Sequence, residues 1–286
     1  MTEHFSLLMS VYAKDSADHL ERALTSAVLD QSLYPDEVVL VQDGPVGVAL
    51  ERTIERFVAS CPVPVHHLVM PENRGLAAAL TLGLQSCSHD IVARMDADDI
   101  AMPHRFERQL AAFHDRRLDL LGTGMFEFAE NGSGIVARRT PPVGERIDGF
   151  ARFHDPFNHP TVVYRRSAVL RAGGYRPMGL MEDYWLFARM IMTKAAVDNL
   201  AEPLLMYRVD SGAYSRRGGL GQLRAELRLQ RAFRHSGFTT SGQMARNIIV
   251  RGGYRLIPTA IRRALYRATL ARKDDGVDRS SAEVGR

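Results

Sequence analysis

The feature that most constrains this chain is the alternation of apolar, β-branched runs with helix-patterned segments over its first hundred residues. Residues 5–12 (FSLLMSVY), 37–41 (EVVLV), 63–69 and 91–92 read as buried strands. Between them, Leu20, Leu24, Ala27 and Val28 recur at helical spacing behind a cap at Ser16 or Asp18, residues 50–59 are helical, and residues 75–85 (GLAAALTLGLQ) form a small-residue helix able to lie close to a sheet. Strands separated by helices imply βαβ units and a parallel sheet buried on both faces. In open sheets of this kind ligands sit at the carboxyl ends of the strands. Polar residues gather at those ends: Ser10 to Tyr12 after the first strand, Asp43 after the second, Asn73 and Arg74 after the third, and Asp96 to Asp99 after the fourth.

The fourth end, VARMDADDIAMP over residues 92–103, carries three carboxylates, Asp96, Asp98 and Asp99. Two readings fit. Spaced carboxylates at a strand end suit a hard divalent cation, Mg²⁺ or Mn²⁺, which takes oxygen ligands and keeps positions open for substrate phosphates. An acidic turn that caps a helix, with Asp99 as N-cap and Pro103 in the first turn, fits the same letters.

Beyond this point residues 118–128 read as a strand, 131–134 as a hairpin turn, and 152–161 (RFHDPFNHPT) as a loop before the strand-like TVVYRR. Gly173 and Gly174 end a short helix. Residues 181–192 (MEDYWLFARMIM) form a helix opening on two carboxylates, and PLLMYRV is a last strand.

The chain has 286 residues, 45% hydrophobic and 24% charged, which is enough for one large α/β domain and an appendage and excludes a disordered protein. It contains no apolar run long enough to span a bilayer and no basic leader followed by an apolar stretch, so the expected location is the cytoplasm. The two cysteines, Cys61 and Cys87, lack zinc-ligand spacing and read as small buried hydrophobes. The net charge of +4 is unevenly spread: residues 216–273 hold fourteen Arg or Lys against one Glu, while residues 1–215 are net acidic. Such asymmetry points the tail at an anionic surface, membrane or nucleic acid.

Taken together, LLMSVY, PDEVVLVQDGP, NRGLAAAL, VARMDADDIAMPHRFERQL, FNHPTVVYRRS and GGY followed by EDYWLFARM resemble, in order, the motifs of the family 2 glycosyltransferases, especially the amylovoran-biosynthesis branch. The resemblance covers roughly residues 5–210. It implies an inverting enzyme with a GT-A nucleotide-sugar-binding fold, a Rossmann-like, mostly parallel sheet flanked by helices. It also implies that Asp43 contacts the nucleobase with Ser10, Val11 and Tyr12 lining the same pocket, that Asp96 and Asp98 form the DxD motif, with Asp98 the direct metal ligand and Asp96 nearer the ribose or a metal-bound water, and that Asp183 is the base. Arg74 either adds positive charge near the nucleotide or is a surface arginine at a helix start. Glu182 is placed beside the acceptor or diphosphate, where it would raise the basicity of Asp183; the alternative is that both carboxylates only complement the helix dipole. His159 either faces the acceptor or diphosphate or hydrogen-bonds within its own loop. Trp185 is read as core packing. Donor-sugar specificity is assigned to loops such as 122–158.

The expected organisation is therefore a GT-A domain over 1–215, a basic amphipathic helical extension over 216–273 and a disordered tail over 274–286. In the extension, apolar stripes at Leu220, Leu223, Leu227 and Phe233, and at Leu256, Ile257, Ile261, Leu265, Tyr266 and Leu270, suit either an anionic membrane interface or packing on the domain. The expected partners are a nucleotide-sugar, a UDP-sugar in the first place, a glycan or lipid-linked acceptor of bacterial surface or exopolysaccharide synthesis, and the inner face of the cytoplasmic membrane. The alternatives are a nucleic-acid-binding protein, disfavoured by the acidic first 215 residues, and a nucleotide-sugar-forming nucleotidyltransferase, disfavoured because the glycine-rich N-terminal phosphate loop is missing.

Overall fold

The structure is a computed structural model describing residues 4–129, 134–209 and 220–253. Its first half is the expected βαβ array. Strands β1 (Phe5–Tyr12), β2 (Glu37–Asp43), β3 (Val65–Val69) and β4 (Ile91–Arg94) pair in parallel in the order β3-β2-β1-β4. Helices α1 (Ala17–Leu24), α2 (Val48–Ser60) and α3 (Leu76–Ser86) make the crossovers. Ser16, rather than Asp18, caps α1 by accepting from the His19 N–H at 3.5 Å. The small residues of α3 do bring it close to the sheet: a Cβ at Gly83 would lie 2.3 Å from Leu8 Cδ1.

The second half changes direction. After β5 (Ile100–Ala101), α4 (Arg105–Asp115), β6 (Leu120–Ala129), β7 (Gly134–Arg139) and α5 (Arg146–Ala151), a single 3-10 turn at His159–Thr161 leads into β8 (Val163–Arg165) and α6 (Arg166–Arg171), then α7 (Glu182–Met192) and β9 (Val197–Arg208). The sheet continues from β4 through β8, β6, β9 and β5; β8 is antiparallel to β4 and β6, β9 parallel to β6, and β7 antiparallel to β6. Alternate strand residues feed two cores, one under α1, α2 and α4 around Leu7, Met9, Leu24 and Phe106, the other under α3, α6 and α7 around Leu8, Val41, Leu80 and Phe187.

Several sequence expectations shift. The DADD segment does not enter a helix directly: β5 intervenes, α4 starts at Arg105 with Pro103 outside it, and Asp99 is not a cap but a fully buried side chain. The reason is tertiary, because β5 pairs with the far strand β9 and its Ala101 N–H is held by Ser26 Oγ. The 122–158 region is not one loop, since it contains most of β6, all of β7 and α5. The hairpin turn expected at 131–134 falls largely outside the described residues, although Ala129 pairs with Gly134 across it.

Helix α8 (Leu220–His235) covers α7, and α9 (Ser241–Asn247) packs on α8. Ala225, Leu229, Phe233 and Phe238 bury against Met181, Tyr184, Trp185 and Ala188, so Trp185 packs in a core, as expected. In this part of the extension the apolar face is occupied by the domain. Of the expected stripe, Leu223 and Leu227 are half-buried and Phe233 is buried, and the inward row is Ala225, Leu229 and Phe233. The second stripe, within 254–273, and the 274–286 tail lie outside the described residues. Among those described, no helix is long and apolar enough to cross a membrane.

Candidate active site

Because β1, β2 and β4 are parallel, their carboxyl ends open on one edge, where Tyr12 is in register with Asp43. Ser10, Val11, Tyr12, Asp43, Asn73, Asp96 and Asp98 line one cavity there, of about 660 Å³. Asp43 is buried, and its carboxylate accepts the Arg74 N–H at 2.7 Å and the Gly75 N–H at 2.9 Å. The turn at Gly44 is equally fixed: its φ is +85°, and a Cβ there would meet Asn73 N at 2.5 Å. Asp43 thus faces the cavity while also shaping the turn that enters α3. Arg74 contributes only that amide; its exposed side chain is not part of the cavity wall.

The acidic cluster is compact. Ligand oxygens of Asp96, Asp98 and Asp99 lie within 4.8 Å of one another. The sequence leaves Asp99 between the carboxylate cluster and a helix cap; its Oδ1 accepts the Arg208 N–H at 2.9 Å while its Oδ2 is buried with no hydrogen-bond partner. Burial, then Asp96 and Asp98, pushes the Asp99 carboxyl far up; burial and Asp96 raise Asp98 to about 6. An all-oxygen donor set with an orphaned buried carboxylate oxygen fits a hard divalent cation. Fully buried Arg94 pairs with Asp96, Arg105 donates to the Arg94 carbonyl at 2.7 Å, and Arg208 Nε donates to the Asp98 carbonyl at 2.7 Å. Sequence reading misses Arg208, near the end of PLLMYRV, because the long-range pairing of β9 with β6 and β5 is what brings it to this edge. It also misses Asp15, a cavity-lining carboxylate raised to about 7, chiefly by burial.

A second cavity, of about 570 Å³, adjoins the first and shares Leu76, Asp96 and Tyr207 with it. Its wall includes Asp183, His159, Asp155, Arg94, Arg138 and Arg139. Asp183 Oδ1 accepts the Tyr184 N–H at 2.8 Å, and Oδ2 lies 3.8 Å from His159 Nδ1. Burial is the main cause that raises Asp183 to about 6; Glu182 adds a smaller push, and the Tyr184 N–H and Arg94 oppose it. The Glu182 effect expected from sequence is real but minor.

Glu182 itself turns away. Its Oε1 accepts the Met178 and Leu180 N–H groups, both at 3.1 Å, and it lines neither cavity. The contact to acceptor or diphosphate expected from sequence is corrected by this geometry, in which the carboxylate closes the turn before α7. His159 is buried, bonded through Nε2 to Tyr175 Oη at 3.1 Å, and burial followed by Arg94 drives it well below its ordinary value, so the imidazole is neutral. Its side-chain bond reaches out of its own loop, to Tyr175 beyond α6, and the residue lines the second cavity. Sequence reasoning passes over Asp155 within RFHDPFNHPT. Its signal is its place three residues after Arg152 in an aromatic-rich loop, which by itself is weak.

Two cavities therefore meet at an Asp-x-Asp strand end, each edged by carboxylates raised by burial. The sequence model of Glycosyl transferase family 2 matches residues 6–174. The chain belongs to glycosyltransferase family 2. It is 36% identical over 266 residues to the amylovoran biosynthesis glycosyltransferase AmsE of Erwinia amylovora, covering 92% of this chain and 97% of that one. It is 33% identical over 275 residues to the UDP-Gal:alpha-D-GlcNAc-diphosphoundecaprenol beta-1,3-galactosyltransferase of Escherichia coli, covering 95% and 98%. Among solved structures, the mannosyltransferase PcManGT of Pyrobaculum calidifontis, in complex with GDP-Man and Mn²⁺, superposes with a TM-score of 0.62 at 16% identity over 97% of this chain and 77% of that one. The fold is GT-A, and the protein is a glycosyltransferase.

Proposed function

We propose that this transferase moves a sugar, with inversion at the anomeric carbon, from a UDP-sugar to a lipid-linked glycan acceptor in bacterial surface or exopolysaccharide synthesis. The observation that carries the proposal is the continuity of the two cavities at Asp96, with the acidic cluster on the first and Asp183 on the second. The first takes the nucleotide: Asp43 faces the base, Ser10 to Tyr12 and Asn73 wall it, and Arg208 supplies positive charge beside the diphosphate. Asp98, with Asp96 and Asp99 beside it, would hold Mn²⁺ or Mg²⁺, which when bound stabilises charge on the departing diphosphate. The second cavity takes the acceptor. Its hydroxyl attacks the anomeric carbon, Asp183 accepts the hydroxyl proton, the new carbon–oxygen bond forms and the bond to the diphosphate breaks. Neutral His159, 3.8 Å from Asp183, orients that carboxylate without competing for the proton.

UDP as the nucleotide and a lipid-linked diphosphate glycan as the acceptor are supported by the likeness to the E. coli galactosyltransferase, whose name gives UDP-Gal and a GlcNAc-diphosphoundecaprenol. Association with an anionic membrane face is supported by the exposed Arg224, Arg228, Arg231, Arg234 and Arg246 of α8 and α9, next to Ile249 and Val250, which are 74% and 52% exposed. The deciding experiment is a screen of nucleotide-sugars for hydrolysis and thermal stabilisation with and without Mn²⁺. Stabilisation by UDP-sugars that depends on metal is expected; equal stabilisation without metal, or by no nucleotide-sugar, overturns the reading.

A further inference from the structure

The helix pair α8 and α9 is tied to one loop more than to any other part of the site. Arg251, in the wide turn at Ile248–Gly252 that ends α9, pairs through Nε and Nη2 with the two carboxylate oxygens of Glu226, at 2.7 and 3.1 Å, and donates from Nη1 to the Phe153 carbonyl at 3.0 Å. Glu226 is fully buried, and it also accepts Gln230 Nε2 at 3.0 Å. Asn247 Nδ2 donates both to Gln230 Oε1 at 3.0 Å and to the Arg152 carbonyl at 2.8 Å. The Arg246 guanidinium covers the Phe153 ring at 4.5 Å, and Arg152 donates back to the Phe238 carbonyl. Two successive carbonyls, those of Arg152 and Phe153, are therefore held from the C-terminal helices.

Immediately C-terminal to these two residues, the chain forms part of the wall of the second cavity. Asp155 lies two residues on and accepts the Phe157 N–H at 3.2 Å, while Asn158 fastens the far end of the loop to the Thr123 carbonyl of β6 at 2.8 Å. The loop is thus anchored at one end by the sheet and at the other by α8 and α9, with Asp155 between the anchors and His159 just past the second. A buried charge pair is a costly way to join two elements unless the geometry it fixes matters, because both ions give up their hydration.

We propose that α8 and α9 brace the acceptor site from outside the cavity, with Arg251, held by buried Glu226, as the positioning residue for the 152–159 loop. The inference rests on the reading that this cavity takes the acceptor. It predicts a division of effects: loosening the clamp weakens acceptor use and leaves the nucleotide cavity, built from β1, β2 and β4, untouched.

The test uses the full chain. Arg251→Lys keeps the charge opposite Glu226 but cannot reach both Glu226 and the Phe153 carbonyl; the pair Glu226→Met with Arg251→Met removes both charges and leaves no lone buried ion. Hydrogen exchange is followed on peptides covering 150–158, and on 72–86 as a donor-side reference. Kinetics use UDP-galactose with a short-chain GlcNAc-diphosphate lipid, and UDP binding is titrated with Mn²⁺. Exchange over 150–158 is expected to quicken at least tenfold in the double variant and less in Arg251→Lys. KM for the acceptor should rise fivefold or more, and KM for UDP-galactose and the affinity for UDP should stay within twofold. Unchanged exchange over 150–158, or loss of UDP binding in step with acceptor use, overturns the proposal. If the wild-type protein binds UDP but ignores this donor and acceptor, the substrate reading fails instead, and the exchange arm alone decides the clamp.

Discussion

The two cavities, the first proposed for the nucleotide and the second for the acceptor, share a wall yet are built in different ways. The first comes mainly from consecutive βαβ units: apart from Leu180, Tyr207 and Arg208, its residues follow strand ends within a few positions, and parallel pairing brings those ends to one edge. The acceptor cavity draws on β7, the loop after α5, the start of α7 and the end of β9, brought together by antiparallel and long-range pairings. The first depends on a repeating local rule and the second on how remote pieces meet. Substitutions should accordingly separate donor from acceptor effects, and a variant that moves both together would break that division.

The largest effect should come from Asp183→Asn, which keeps the Tyr184 N–H contact but removes the proton acceptor. Transfer should fall by roughly 10² or more with UDP affinity nearly unchanged. Near-normal turnover would take Asp183 out of the mechanism.

Acidity provides a related test. With Asp183 raised to about 6, the ionised and competent form is lost as pH falls through that value, so kcat at saturating metal and donor should drop about tenfold per unit below it. Protonation of Asp98, also near 6, opposes metal binding over the same range. Titrating Mn²⁺ at each pH separates the two, and a flat kcat from pH 7 to 5 contradicts the assignment.

Asp98→Ala tests the donor side. UDP binding in wild type should tighten about tenfold or more on adding Mn²⁺, and Mn²⁺ with UDP should raise Tm; both responses should vanish in the variant. Retention of either response would move the metal elsewhere. Arg208→Gln should weaken UDP by a smaller factor, about three- to tenfold, because one partly screened cation near a diphosphate contributes about 1 kcal/mol.

The smallest expected effect lies farthest from the chemistry. The full chain should bind anionic vesicles at low salt and release them as salt rises, because each surface arginine adds about 1 kcal/mol that the Debye atmosphere screens. Replacing Ile249 and Val250 together by Ser should weaken binding severalfold without altering UDP affinity. Binding to neutral vesicles equal to that on anionic ones would argue against the cationic face.

The sequence by itself determined the parallel half of the sheet, the edge where ligands collect, the acidic strand end and the carboxylate pair opening α7. Each comes from a period of two or 3.6 residues and from the rule that parallel strands open their carboxyl ends together, which needs only neighbouring letters. Tertiary structure decided the rest. DADD reads equally well as a helix entry until β9 arrives to pair with β5, whereupon Asp99 is buried and Arg208 reaches the cluster. Glu182 and Asp183 are adjacent and chemically alike, but helix geometry sends one to close a turn and the other to a cavity. The stripe at Leu220, Leu223, Leu227 and Phe233 suits a membrane or a protein partner equally well, and only the side of α7 that carries Tyr184 and Trp185 selects Ala225, Leu229 and Phe233 as the row that turns inward. Composition and spacing specify which face of a helix is apolar; what that face meets is set by contacts from distant parts of the chain, and those are a property of the packed molecule.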